Sequence, residues 1–152
     1  MEPREFKLLI RNKMNHITLK ARLILYHKGK ILLLKQKKKQ GGNYTLVGGT
    51  IENHEFAIES LIRESEEEAG IILKEKHLQL AHVLHKHINN RQRITLYFKA
   101  SKWEGKFKIG EPDKFKRVAW FSLDHLPENL TETVGKVLEE YRHGRLYSEF
   151  LK

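Results

Sequence analysis

The amino-acid sequence predicts an α+β or mixed α/β domain built around a mixed sheet. Three observations support it: short apolar runs of strand length, two segments with apolar residues at helical spacing, and glycine-bearing links between them. Leu19–Tyr26 and Lys30–Lys35 read as two strands, and the short His27-Lys28-Gly29 link makes them a hairpin. Gln36–Asn43 is rich in lysine and ends in Gly41-Gly42, so it reads as a mobile basic loop, either solvated or facing phosphate.

Tyr44–Val47 is a short strand candidate closed by Gly48-Gly49, whose missing Cβ atoms permit a tight turn or a close ligand approach. A helix follows from about Glu55 to Ala69, with Gly70 as its stop. Leu78–Leu84 and Arg93–Ala100 form a second antiparallel pair around the turn-like Ile88–Arg91. Trp103–Lys116 is an irregular charged stretch of a length that is often functional, and Arg117–Phe121 is a further strand. Thr131–Arg142 carries Val134, Val137, Leu138 and Tyr141 at helical spacing, is ended by Gly144, and is the closing element.

A chain of 152 residues fits one domain, taken as residues 1–152, with enough core to need no staples. Zero cysteines exclude disulfides, thiolate nucleophiles and Cys-ligated zinc. The apolar runs are too short for a membrane span, and the first ten residues lack the apolar centre of a secretory signal, so the expected setting is cytoplasmic with no membrane partner. The net charge of +10 favours polyanionic partners, nucleotides or nucleic acid, without choosing between them. Against that basic background, Glu64, Glu66, Glu67 and Glu68 stand out as an acidic island.

On a helix, Ile58, Leu61, Ile62, Ser65 and Ala69 share the side that packs on a sheet, while Glu64, Glu67 and Glu68, at i, i+3 and i+4, converge elsewhere. Like charges at those offsets weaken an isolated helix by about 0.2–0.5 kcal/mol per pair, so something should compensate. Mg²⁺ is the natural candidate, because it takes oxygen ligands and shares its coordination with substrate phosphates. A solvated acidic face is the competing reading of a bare glutamate run.

The segment Gly49–Ile71 matches a long fixed-spacing pattern: Gly, five residues, Glu55, seven residues, Arg63-Glu64, an aliphatic, any residue, Glu67-Glu68, any residue, Gly70 and an aliphatic. Every specified position agrees except Ser65. In this the sequence resembles the Nudix hydrolase family, which includes mutator-type nucleotide pyrophosphohydrolases, and the strand order resembles that family's α/β/α sandwich with a mixed sheet. Val47 and His54 also depart from its common form, where Pro and Gly are frequent, and Ser65 is expected to bond back to a helix carbonyl.

The resemblance implies that Glu64, Glu67 and Glu68 bind Mg²⁺, with Mn²⁺ as a substitute, helped by the Gly48 carbonyl. Glu55 and Arg63 would form a supporting ion pair, with Gly49 and Gly70 shaping the loop and the helix end. It implies in-line attack of a metal-activated water on phosphorus. Glu64, Glu67 and Glu111 are the catalytic candidates, Glu111 because such a loop often supplies a further ligand or general base in the family; a solvated turn acid beside Pro112 is its alternative. Glu104 and Asp113 rank below it. Tyr44, Lys37, Lys38 and Lys39 are the substrate-binding candidates.

His82, His85 and His87 read as solvated or core-edge histidines, and Tyr97, Trp103 and Trp120 as core aromatics rather than base-stacking platforms. The expected substrate is a nucleoside triphosphate or another nucleoside diphosphate derivative. An RNA 5′ end, attracted by Lys35–Lys39, is the alternative, and a non-catalytic nucleotide-binding module is a third reading. Oligomeric state is open, a homodimer included.

Overall fold

The computed structural model describes residues 1–7 and 16–152, so part of the polar N-terminal arm lies outside the described residues. Residues 3–7 are helical, and the sheet begins at β1 (Ile17–His27), followed by β2 (Lys30–Gln36). Lys28 and Gly29 both take positive φ (50° and 79°), the geometry a two-residue hairpin needs to match strand twist. Only Tyr26↔Ile31 and His27↔Lys30 pair across that hairpin, because the two strands then diverge to different partners.

β2 continues against β3 (Tyr44–Thr45) and β7 (Phe115–Ser122). β1 runs parallel to β6 (Arg91–Ala100) and antiparallel to β4 (Val47–Thr50). β5 (Gln79–Ile88) pairs antiparallel with β6 through the turn at Asn89-Asn90, where Asn89 adopts a φ of 54°. The result is a mixed eight-stranded sheet. Helix α1 (Ala57–Ala69) covers one face over Ala21, Leu23, Leu25, Leu32 and Leu34; helix α2 (Glu132–Arg142) covers the other over Ile24, Ile31, Leu33, Leu84 and Tyr97. These two apolar cores, set by the alternation of β1 and β2, make the α/β/α sandwich. Among the described residues, no helix is long and apolar enough to cross a membrane.

Five expectations need correction. The glycine pair does not turn the chain but lies within β4, with Gly48 opposite Arg22 and Gly49 opposite Ala21. Gly48 has a φ of 136°, and a Cβ there would stand 2.2 Å from the Ala21 carbonyl oxygen, so the closeness glycine permits is to a neighbouring strand. The lysine loop is a short 3-10 turn over Lys38–Gln40, closed by Gly41 and pinned by Lys37 N–H donating to the Lys114 carbonyl at 2.8 Å. Helix α1 starts at Ala57, which leaves Glu55 in the preceding turn. Ser65 is fully buried with no partner for its hydroxyl, so it does not bond back to the helix. Finally, α2 does not close the fold: β8 (Tyr147–Leu151) adds a parallel edge strand to β5, an element short enough that its alternation is easily missed.

Candidate active site

Helix α1 is fixed at both ends by its own sequence. At its C-terminus Gly70 takes a left-handed conformation, its N–H donating to the Glu66 carbonyl at 3.0 Å while Ile71 N–H reaches Ser65 at 3.1 Å. This closure satisfies two of the carbonyls a helix end leaves open. Two others are taken by the 103–114 loop: Gly110 N–H donates to Glu68 (3.0 Å) and Lys108 N–H to Ala69 (3.1 Å). A Cβ on Gly110 would fall 1.7 Å from the Glu67 carbonyl oxygen, so only glycine allows the loop to lie this close. The next residue is Glu111. Sequence reasoning picked out Glu111 but missed Gly110, whose signal is a glycine in the middle of a long loop.

Ahead of the helix, Glu55 and Arg63 form a two-pronged ion pair, Arg63 Nη2 donating to Oε1 at 2.8 Å and Nε to Oε2 at 3.1 Å. The Glu52 N–H also donates to Glu55 Oε1 at 3.0 Å. Arg63 first, and then that backbone donor, hold the Glu55 carboxyl down to about 2. The third guanidinium nitrogen reaches Glu64 Oε1 (3.2 Å) and Glu67 Oε2 (3.1 Å), so one arginine links the turn to two of the glutamates.

Glu64 and Glu68 lie side by side at the glycine strand. A Cβ on Gly49 would meet Glu64 Oε1 at 2.8 Å, and Gly48 N–H donates to Glu68 Oε2 at 3.3 Å. Glu68 is only 4% exposed. Burial first, and then the Glu64 carboxyl beside it, push the Glu68 pKa well above the usual carboxylate range, with Gly48 N–H and the Arg22 charge pulling the other way. Glu67 is about half exposed (51%) and is joined to the pair through Arg63. Among the described residues no group of three or more His, Asp or Glu side chains forms a ready-made metal cage. The arrangement is a carboxyl pair, Glu68 buried and Glu64 largely so, with a third, half-exposed carboxylate held beside it through Arg63.

That pair suits a hard divalent cation. All the donors are carboxylate oxygens, and a doubly charged ion would offset both the desolvation of Glu68 and its repulsion from Glu64. Glu111 is half-buried and is bonded to Lys114 at 3.4 Å; Lys114 in turn feels the charges of Glu68 and Glu64, which brings this part of the loop toward the pair.

The other candidates fall elsewhere. Tyr44 is buried under α2, its hydroxyl accepting from Arg117 Nε at 2.9 Å and its ring edge-on to Phe121. Lys38 and Lys39 are exposed on their turn. His82 is fully buried with both ring nitrogens engaged, Nδ1 to the Arg145 carbonyl (2.9 Å) and Nε2 to Ser148 Oγ (2.7 Å); it is a core residue, not an edge one. Tyr97 is core, whereas Trp103, Trp120 and Phe107 make a half-buried aromatic group with ring centroids 5.6–5.7 Å apart. A cavity of about 650 Å³, lined by Tyr26, Leu80, Lys99, Tyr141 and Arg145 among others, contains none of Glu55, Glu64, Glu67, Glu68 and Glu111. Its size does not make it the reactive centre, because among the described residues the clustered, charge-perturbed oxygen donors lie at α1.

Comparison with known proteins bears on the family and the fold. The NUDIX domain family model matches residues 17–141. An ADP-ribose pyrophosphatase of Methanocaldococcus jannaschii is 31% identical over 119 residues, covering 78% of this chain and 69% of the relative. Among solved structures, a MutT NUDIX hydrolase from Burkholderia pseudomallei superposes with a TM-score of 0.73 at 29% identity, covering 82% of this chain and 98% of that one. A mutator MutT protein from Bacillus halodurans superposes at 0.72 with 22% identity, covering 88% and 89%, a likeness of fold.

Proposed function

The chain belongs to the Nudix hydrolase family and is a pyrophosphohydrolase acting on acid anhydrides, and from that premise we propose that it hydrolyses, with Mg²⁺, the diphosphate linkage of a nucleoside triphosphate or other nucleoside diphosphate derivative. The observation that carries this reading is the crowding of Glu64 and buried Glu68 against the Gly48-Gly49 strand. A carboxyl so placed is costly unless a cation answers it.

In this reading Glu64, Glu67 and Glu68 would hold the metal, helped by the Gly48 carbonyl. A divalent cation held by these residues would supply a lowered pKa for an attacking water and positive charge to offset that growing on the phosphoryl oxygens. Arg63 keeps Glu64 and Glu67 at a fixed separation, and Glu55 keeps Arg63 from turning away. Ser60, fully buried with Oγ 3.4 Å from the Thr50 carbonyl, ties the helix to the end of the glycine strand. Glu111, delivered by the loop that closes the helix, is the candidate to accept the water's proton.

Titrating Mg²⁺ and then Mn²⁺ against a panel of nucleoside triphosphates and nucleoside diphosphate sugars, while following phosphate and pyrophosphate release, tests the reading. Divalent-dependent release from at least one member is expected. Turnover unaffected by chelator would refute the metal site.

A further inference from the structure

Strand alternation gathers four cations on the α2 side of the sheet. Lys20 and Arg22 share the face of β1 that carries Ile24, Arg93 shares the face of β6 that carries Thr95 and Tyr97, and Lys86 shares the face of β5 that carries Leu84. In register, Lys86 is directly opposite Arg93 and Lys20 is opposite Thr95, next along from Arg93 on the same face. Like charges opposed in this way are destabilising.

Little among the described residues neutralises them. Arg22 Nη1 donates to the Leu46 carbonyl at 2.8 Å and Lys86 Nζ to Thr133 Oγ1 at 2.6 Å, both uncharged acceptors. Lys86 is 4% exposed. Arg93 Nε and the Thr131 hydroxyl, beside the first turn of α2, are buried with no partner. Burial first, and then the charges of Arg22 and Arg93, bring Lys20 down to about 8; burial and then Arg93 lower Lys86, and burial and then Arg22 lower Arg93. Lys136 and Lys152 add like charge around Lys86, and the acids whose fields reach the two lysines are Glu132 at the start of α2 and Glu68. Gly48, whose N–H holds Glu68, is in register with Arg22, which brings this end of the cluster alongside the carboxyl pair.

We propose that Lys20, Arg22, Arg93 and Lys86 form an anion site that receives a third phosphate group of the substrate, one other than the two joined by the bond being cut. The assignment rests on the hydrolytic reading above and narrows it. A nucleoside triphosphate carries such a group, whereas a nucleoside diphosphate sugar carries only the phosphates of the anhydride itself. One phosphate offers Arg93 and the lysines the charged acceptors that the protein withholds, in a half-buried setting where such bonds are strongest. Its arrival also relieves the mutual repulsion, so binding energy comes from the removal of a defect as well as from new contacts.

Lys86→Met, which keeps the stem and removes the charge, and Arg93→Gln test the site by two routes. In chelator, inorganic pyrophosphate should raise the Tm of the wild-type chain and raise that of either variant much less. With Mg²⁺, each variant should raise KM about tenfold for a nucleoside triphosphate and less than about twofold for a nucleoside diphosphate sugar, as expected for loss of one charge-assisted contact. Lys86→Met should fold at least as well as wild type, since it removes a buried repelled charge, and so remains informative if Arg93→Gln does not fold. Inorganic phosphate should inhibit triphosphate turnover competitively. No Tm shift in the wild type, equal shifts in all three proteins, or equal KM changes on both substrates would overturn the site. Noncompetitive inhibition would make it a separate effector site and overturn the substrate assignment. Turnover of neither substrate by wild type, with pyrophosphate still bound, would remove the hydrolytic reading and the assignment together.

Discussion

Gly49 stands against Glu64 so closely that an added Cβ would lie 2.8 Å from the carboxylate oxygen Oε1. The contact is with the free end of a side chain, which can swing aside. At the adjacent Gly48 the same Cβ would lie 2.2 Å from the Ala21 carbonyl oxygen, a strand backbone that cannot.

The two glycines should therefore respond differently. Gly49→Ala should fold with little loss of stability while displacing Glu64, reducing Mg²⁺-dependent turnover about 10- to 100-fold. Gly48→Ala, strained at a φ of 136°, should cost about 3 kcal/mol in urea unfolding. Similar stability losses in both would show that Gly49 serves strand packing rather than the position of Glu64.

The pair most worth separating is Glu67 and Glu68. Replacing either with Gln should cut turnover by more than about a hundredfold. Only Glu68→Gln should also raise the Tm in chelator, because it replaces a buried carboxyl that the fold prefers neutral with a neutral isostere. Metal-dependent turnover in both variants would remove these residues from the site.

The pH dependence follows from the same shift. In the metal-free chain the folded state keeps the Glu68 proton that the unfolded chain releases in the ordinary carboxylate range. The stability from that proton is full below the unfolded pKa and is lost as pH rises through the raised folded value. Mg²⁺ favours the ionised form and should flatten or reverse this fall. Tm measured from about pH 5 to pH 8.5, with chelator and with Mg²⁺, checks it. Parallel profiles in the two conditions would show that no metal meets Glu68.

Much of this site was legible because a helix has a fixed period: once the α1 span was read, the spacing of Glu64, Glu67 and Glu68 and the stop at Gly70 followed. What spacing alone does not reveal is which carboxylates are buried together, since that depends on where β4 crosses, and β4 runs through a glycine pair that reads locally as a turn. The four-cation face was illegible for a similar reason. Lys20, Arg22, Lys86 and Arg93 lie on three strands, and it takes both the parallel β1–β6 register and the antiparallel β5–β6 register to bring them together. β8 escaped because a short parallel edge strand has no hairpin turn to mark it.

Ser65 is the one specified motif position that departs from the pattern, standing where an aliphatic is expected, and it is fully buried with an unpartnered hydroxyl. Ser65→Ala removes that orphan and adds a stronger helix former, so it should be neutral or stabilise by up to about 1 kcal/mol. A loss greater than about 2 kcal/mol in urea unfolding would mean the hydroxyl has a partner in solution.

The lysine turn bears on the choice between a small nucleotide and an RNA end. Lys38 and Lys39 project into solvent from a 3-10 turn, while Lys37 is tied through its backbone to Lys114, whose charge is felt by Glu68 and Glu64. Ordered in this way beside the loop that carries Lys114, the three ammonium groups would add positive potential on the approach to the carboxylates. Replacing Lys37, Lys38 and Lys39 together with Gln should raise KM for a nucleoside triphosphate severalfold at low salt, with kcat little changed and the difference fading as salt is added. If instead nucleotide kinetics stay the same while RNA binding weakens with a shallower salt slope, the turn serves a polymer and the RNA-end reading displaces the small substrate.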